Sequence, residues 1–331
     1  MQTLHRTTRR TTTLAFAALA TLCLAAAQSV RADGGITFTF IAFNASSATN
    51  FTVARGINNS GQITGYTGSG NNSNGFLRYT TGTYTTFAVP NSVGSTYAQG
   101  ISNNGQITGY TGNGNGSFLR DTTGTYTTLN APGGINNTFA QGINDSGQTT
   151  GYYYNNGYHG FLRDMAGTYT TVNAPGGVND TLAQGINDSG QITGYYGDGN
   201  SYHGFLRDTT GTYTTFDVPG AVGTIAQGIN NSGQITGYYG DGNSYHGFLR
   251  DTTGTYTTFD VPGGVNNTFA EGINDSGQIT GCYDDNSGRH GFLATPNAAP
   301  VPEPSPIETV SLMGLCLGGL ILRAGRRRQT A

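Results

Sequence analysis

Between residues 35 and 295 the apolar positions come in short alternating segments, and no long stripe recurs at the three-to-four-residue spacing of a helix. Residues 224–230 and 234–239 show the pattern well. They read as two strands joined by Asn231-Ser232-Gly233, where Asn and Ser favour local turn hydrogen bonds and Gly233 supplies a positive φ. A loop, Gly240-Asp241-Gly242-Asn243-Ser244-Tyr245, leads to a third strand over 246–250. The turn Asp251-Thr252-Thr253-Gly254 leads to a fourth over 255–261, which Pro262-Gly263 ends. β-Branched and aromatic residues bounded by Gly, Pro and Asn are strand chemistry, so this block predicts four strands.

The block recurs. Copies open on Gly56-Ile57-Asn58, Gly100-Ile101-Ser102, Gly142-Ile143-Asn144, Gly185-Ile186-Asn187, Gly228-Ile229-Asn230 and Gly272-Ile273-Asn274, at successive spacings of 44, 42, 43, 43 and 44 residues. A period near 43 built from four short strands predicts an all-β fold, a six-bladed β-propeller of four-stranded blades over residues 36–295. The sixth copy stops after His290-Gly291-Phe292-Leu293 without its fourth strand, whereas residues 39–44 match a fourth strand placed ahead of the first copy. The N-terminal strand is therefore expected to close the ring and remove its open edges. The residue before each repeat glycine is Gln99, Gln141, Gln184 or Gln227 in four copies, but Arg55 in the first and Glu271 in the last. First and last blades are neighbours in a ring, which predicts an Arg55–Glu271 contact across the closure.

The blade resembles the extracellular repeats called HAF, through Ala-x-Gly-Ile-Asn at 226–230, Gly-Gln-x-x-Gly at 233–237 and His-x-Phe-Leu at 246–249. That resemblance implies a propeller in an extracellular setting. The chain ends agree. Arg6, Arg9 and Arg10 precede an apolar run over 14–27 and small-residue sites at 25–27 and 30–32, which reads as a signal peptide over 1–32 with a helical core. At the other end Pro302, Glu303 and Pro304 lie in a linker over 296–308. The segment 309–331 follows, with an apolar stretch at 310–322, then Arg323, Arg326, Arg327 and Arg328. This order resembles the PEP-CTERM sorting tail, which implies recognition by an exosortase-type membrane protease, a short transmembrane helix, transient inner-membrane anchoring and release to the cell surface or matrix. Thirteen helical residues reach about 20 Å against a hydrocarbon core of about 30 Å, consistent with a temporary hold. PEP-CTERM proteins are typical of bacteria making exopolysaccharide, so the resemblance also implies a glycan partner.

Charge narrows the partners. The chain has no lysine, and residues 37–296 carry seven arginines against fourteen aspartates and one glutamate, a net charge of −8 that excludes nucleic acid. Cys282 is the lone cysteine of the repeat region, so no disulfide forms within it. His159, His203, His246 and His290 recur on the third strands, too far apart for a shared metal, and the sequence spells out no metal site, cofactor site or catalytic group. The loops between second and third strands are the candidate ligand surface. Tyr153, Tyr196 and Tyr239, with the four histidines and Asp198 and Asp241, suit stacking and hydrogen bonding to sugars. The same residues also make ordinary soluble turns. The expectation is a structural or carbohydrate-interacting surface protein that is not an enzyme, with a polysaccharide hydrolase or lyase, and less so an ice-binding protein, as the alternatives.

Overall fold

The Asn/Asp-Ser-Gly triplets reverse the chain as the alternation requires. In the fifth copy Gly233 has φ +83° and its N–H donates to Asn230 O, while Gln234 N donates to the Asn230 side chain at 2.9 Å. This hairpin joins Gly223–Ile229 to Ile235–Gly240. Tyr245–Arg250 and Tyr256–Phe259 follow antiparallel, joined by a turn in which Asp251 Oδ1 accepts from Thr253 N and Thr255 N.

The computed structural model describes residues 28–31 and 36–297, apart from 46–50, 70–71, 93, 113–115, 135–136, 178–179 and 266. It is an all-β, propeller-like arrangement, with no helix among the described residues. The expected signal and transmembrane helices, Pro302, Glu303, Pro304 and the arginine cluster lie outside the described residues. One stretch of the expected signal segment is described: Gln28–Arg31 is a strand, paired antiparallel with Thr37–Phe43. Thr37–Phe43 is otherwise the outer edge of its group, and an open edge offers its amides and carbonyls to any adjacent chain.

Three copies form separate four-stranded antiparallel sheets, beginning at Thr96–Ile101, Thr138–Ile143 and Thr181–Ile186. The other strands belong to a thirteen-stranded sheet. Within it, four-stranded antiparallel groups are joined by single parallel pairings, Tyr245 with Asn267 and Arg289 with Phe51. The group holding Asn267–Ile273, Ile279–Asp285 and Gly288–Pro296 takes its fourth strand from Thr37–Phe43, with Ala42 opposite Phe292 and Phe40 opposite Ala294.

The first strands converge on an axis. Each is bulged against its partner, with the register shifting between Ala54 and Gly56 and between Ala270 and Gly272 in the outermost copies. A bulged residue leaves the ladder and turns its side chain aside. Here Arg55, four glutamines and Glu271 line an axial cavity of about 90 Å³. The repeat glycine is required where neighbouring strands touch: a Cβ on Gly272 would lie 2.6 Å from Arg55 O. At one end the hairpins are linked in a circuit. Asn59 N donates to Asn103, Asn103 N to Asp145, Asp145 N to Asp188, Asp188 N to Asn231, Asn231 N to Asp275 and Asp275 N back to Asn59, at 2.7–2.9 Å.

Between neighbouring groups lies a core of recurring residues. Phe76, Phe118, Phe161, Phe205, Phe248 and Phe292 are each at most 2% exposed. Each packs over a second-strand glycine; a Cβ on Gly237 would meet Phe248 Cε1 at 2.9 Å. Beside them sit Ile63, Ile107, Ile192, Ile235 and Ile279, but in the third copy the position is Thr149, buried with a hydroxyl that has no partner. An unsatisfied buried hydroxyl costs about 1–3 kcal/mol. Thr149→Ile restores the residue of the other copies and is expected to stabilise the protein by about 1 kcal/mol in urea unfolding; an unchanged or lower midpoint would show that the site cannot take the added carbon.

Candidate functional site

The end of the ring opposite the Asn/Asp circuit carries the second-to-third-strand loops and the connections between groups. A belt of rings runs around it because the residue preceding Ala98, Ala140 and Ala270 is aromatic and pairs with second-strand tyrosines. Tyr97–Tyr110, Tyr110–Phe139, Phe139–Tyr152 and Tyr238–Phe269 have centroids 5.0–5.2 Å apart. The corresponding residue is aliphatic at Val53, Leu182 and Ile225, and the belt lacks a ring there.

At Ile225 the interruption opens a cleft of about 600 Å³, within the range of small-ligand sites. One wall is Tyr195 with Tyr202, at 5.5 Å and 89°. The other is Tyr238, Tyr245 and Phe269, at 5.0–5.7 Å from one another. Ile225 lies between the walls, Val222 and Gly223 also line the cleft, and Asn243 and Ser244 add polar groups.

A second local difference widens it. The connection ahead of this strand is one residue short: Val218 N reaches Thr224 Oγ1 across six positions, whereas Ala131, Ala174 and Val261 reach Thr138, Thr181 and Thr268 across seven. The short connection ends on Gly223 where others place Asn137, Asp180 or Asn267. In the next copy Asn267 Oδ1 accepts from Tyr245 N at 3.2 Å. A Cβ on Gly223 would find nothing nearer than 3.7 Å, so the mouth is open.

The tyrosines singled out in the sequence sit elsewhere. Successive side chains of a strand face opposite ways, so Tyr195 and Tyr238 line the cleft while Tyr196 and Tyr239 point away. Tyr153, Tyr196 and Tyr239 lie against His159, His203 and His246 with centroids 5.3–5.4 Å apart, and Tyr283 lies against His290 at 5.5 Å. The histidines pin each loop to the end of the fourth strand. His203 Nδ1 is 2.9 Å from Asp217 and Nε2 is 3.4 Å from Asp198; His246 sits likewise at 2.9 Å from Asp260 and 3.4 Å from Asp241. His290 Nε2 meets Asp285 at 3.0 Å and Nδ1 meets Asn44 at 2.8 Å, across the closure. His159 reaches Asn155 O at 3.2 Å and Asn173 at 3.4 Å. Among the described residues no group of three His, Cys, Asp or Glu is arranged to hold a metal.

Asp198 and Asp241 each accept two backbone N–H groups of their own loop, which holds both carboxyls low, Asp241 down to about 2. The hydrogen bond to Asp217 holds the His203 imidazolium above its usual range; burial pulls His246 down, but Asp260 and Asp241 outweigh it. A raised histidine contributes stability that is complete below about pH 6.5 and is lost as pH rises through the higher folded value. NMR titration is expected to give midpoints above about 6.5 for both rings, with Asp217→Asn lowering only His203; unperturbed midpoints would remove the clamp. Burial also pushes the Tyr195 and Tyr238 phenols far up, so both remain neutral in the cleft wall.

Arg55 and Glu271 meet on the axis, with Nη1 2.6 Å from Oε2, away from the cleft. The residues that sequence reasoning did not single out are the cleft pair Tyr202 and Tyr245 with Phe269, Ile225 and Gly223. The one-residue shortening before Thr224 was the available signal.

No family model matches the chain, and no curated protein matches it. Solved structures do. A streptogramin B lyase is 17% identical with a TM-score of 0.45, covering 78% of this chain and 98% of its own. A virginiamycin B lyase from Staphylococcus aureus is 12% identical with a TM-score of 0.49, covering 78% and 99%. A putative gluconolactonase is 12% identical with a TM-score of 0.48, covering 78% and 92%. Identities this low carry no residue roles across. The sequence reading expected no enzyme, and the comparison runs against that expectation: lyases and a putative gluconolactonase are among the structures similar to this chain.

Proposed function

We propose that this is a secreted, surface-sorted six-bladed β-propeller that binds a glycan in the cleft between Tyr202 and Tyr245. The observation that carries the reading is the cleft itself, with its two aromatic walls, polar Asn243 and Ser244, and about 600 Å³ of room. A sugar ring has apolar C–H faces and a hydroxyl rim, so it needs flat apolar walls and a few hydrogen-bonding groups together. The secreted setting is supported by the basic-then-apolar leader and by the Pro-Glu-Pro, apolar, arginine order of the tail, which resembles PEP-CTERM signals read by an exosortase-type protease. The six-blade count is supported by the six repeats, the pairing of Thr37–Phe43 with Gly288–Pro296, and the closed hairpin circuit.

A glycan array with the purified protein tests the reading, and a turnover assay on each glycan bound separates retention from cleavage. Tyr202→Ala is expected to weaken binding about tenfold or more, since a stacking aromatic at the centre of a site is worth over 1 kcal/mol. Gly223→Asn, which places in the mouth the side chain found at Asn137 and Asn267, is expected to abolish binding without altering the melting temperature. Undiminished binding by both variants would place the glycan elsewhere.

A further inference from the structure

The third strand begins with an exposed ring in three consecutive copies. Tyr158, Tyr202 and Tyr245 are 39%, 46% and 45% exposed. Each is held edge-to-face against the second-strand tyrosine of its own copy: Tyr152–Tyr158, Tyr195–Tyr202 and Tyr238–Tyr245 have centroids 5.5–5.7 Å apart and planes at 82–89°. Such a contact fixes the orientation of a ring while the rest of it stays in water. The three share one structural position, because the backbone there meets the first strand of the next group. Tyr158 bridges Asp180, Tyr245 pairs with Asn267, and a Cβ on Gly223 would lie 3.8 Å from Tyr202 N.

The fold does not require these rings. The same position is Ser73 in the first copy and Asn115 in the second. Tyr66 and Tyr110 nevertheless keep their belt contacts with Tyr97 and Phe139, at 4.9 and 5.2 Å. Large rings left in water at three successive positions, beside two where a small polar residue suffices, mark a contact surface.

The arc runs into the cleft, since Tyr202 and Tyr245 belong to its two walls. Tyr158 lies one junction earlier, with Tyr154 beside it at 5.3 Å and 48% exposed. The surface between Tyr158 and Tyr202 is continuous. Asp180, bridged to Tyr158, covers the α-carbon of Gly197, and Tyr202 Cε1 is 3.4 Å from the point where a Gly197 side chain would begin. The third strand lies two strand spacings, about 9–10 Å, outside the first. In a six-bladed ring equivalent atoms of neighbouring blades are one radius apart, so successive rings stand more than about 10 Å from one another. A single sugar ring cannot touch two of them.

Resting on the glycan reading above, we infer that the ligand is a linear polysaccharide laid along this arc, with Tyr158 as a stacking platform outside the cleft. A chain held in the cleft brings its next sugars to Tyr158 as an intramolecular contact, so the further platform adds affinity without a second association cost.

Titration calorimetry of the purified protein with cello-, malto- and N-acetylglucosamine oligomers of two to eight residues tests this. In the series that binds, affinity is expected to rise at least about tenfold from dimer to octamer. Tyr158→Ala is expected to weaken octamer binding about tenfold and leave dimer binding unchanged, whereas Tyr158→Phe keeps the ring and is expected to bind both like the parent. Both variants replace an exposed side chain, so both are expected to melt like the parent. Equal affinity for all lengths, or an octamer affinity that Tyr158→Ala leaves unchanged, overturns the inference while leaving the glycan reading intact. No binding in any series also overturns the inference, and the glycan reading falls with it only if the array is blank.

Discussion

A chain that starts after residue 45 is expected to lose its cooperative melting transition. Thr37–Phe43 pairs along its whole length with Gly288–Pro296, and its loss bares that strand. It also removes Phe38, Phe40 and Phe43, which are 0%, 4% and 9% exposed. Phe38 packs on Phe259 at 5.2 Å and Phe40 on Phe292 at 6.1 Å, so the strand fills the space between the fifth and last groups. Each buried phenylalanine is worth about 3–5 kcal/mol against truncation, and three together are comparable with the whole of the roughly 5–15 kcal/mol that holds a typical domain. Calorimetry and size-exclusion chromatography of the truncated protein check this. Phe40→Ala alone is expected to cost about 3–5 kcal/mol, and a peptide of residues 36–45 added in trans is expected to restore part of the transition. A truncated chain that melts like the parent would mean that the closing strand contributes nothing.

The second large effect is at the axis. Removing either partner of the Arg55–Glu271 pair leaves the other charge among glutamine amides and backbone. Breaking a buried pair costs about 3–5 kcal/mol, but the Arg55 side chain is 24% exposed and that of Glu271 only 5%. Glu271→Gln therefore strands the better-hydrated partner and is expected near the lower end of that range. Arg55→Gln strands the buried carboxylate and is expected to cost more. The double variant turns both positions into the glutamine found at Gln99, Gln141, Gln184 and Gln227, and is expected to recover most of the loss. Burial already raises the Glu271 carboxyl, with Arg55 pulling the other way. In Arg55→Gln that opposition is gone, so the stabilising protonated form prevails at low pH and stability falls as pH rises through the raised value. Additive losses in the double variant, or no pH dependence in Arg55→Gln, would contradict this account.

Much of the fold was legible because each repeat states its own turns. Asn231-Ser232-Gly233 and Asp251-Thr252-Thr253-Gly254 are read locally, and the missing fourth strand of the last copy could be found at residues 39–44 by alignment alone. Gln28–Arg31 was not legible, because a strand added to an open edge depends on what lies beside it rather than on its own pattern. The candidate surface was legible as a set of loops but not as a set of rings. Tyr195 and Tyr196 look alike in a string, and the pleat of Ile192–Gly197 decides which of them faces the cleft. The choice of one junction among several rests on Ile225 and Gly223, where the informative feature is a ring and a residue that are missing.

The closing strand has a further geometric consequence. Asn297 N donates to Thr37 O at 2.8 Å, and Gln278 Nε2 donates to Thr295 Oγ1 at 3.3 Å, so the C-terminal end of the described chain leaves from the hairpin side of the disc. The aromatic cleft opens on the other side, at the far end of Ile235–Gly240. A tether joined to that exit would act like the stem of a bowl, aiming the cleft outward from whatever surface it is fixed to, with no hinge needed.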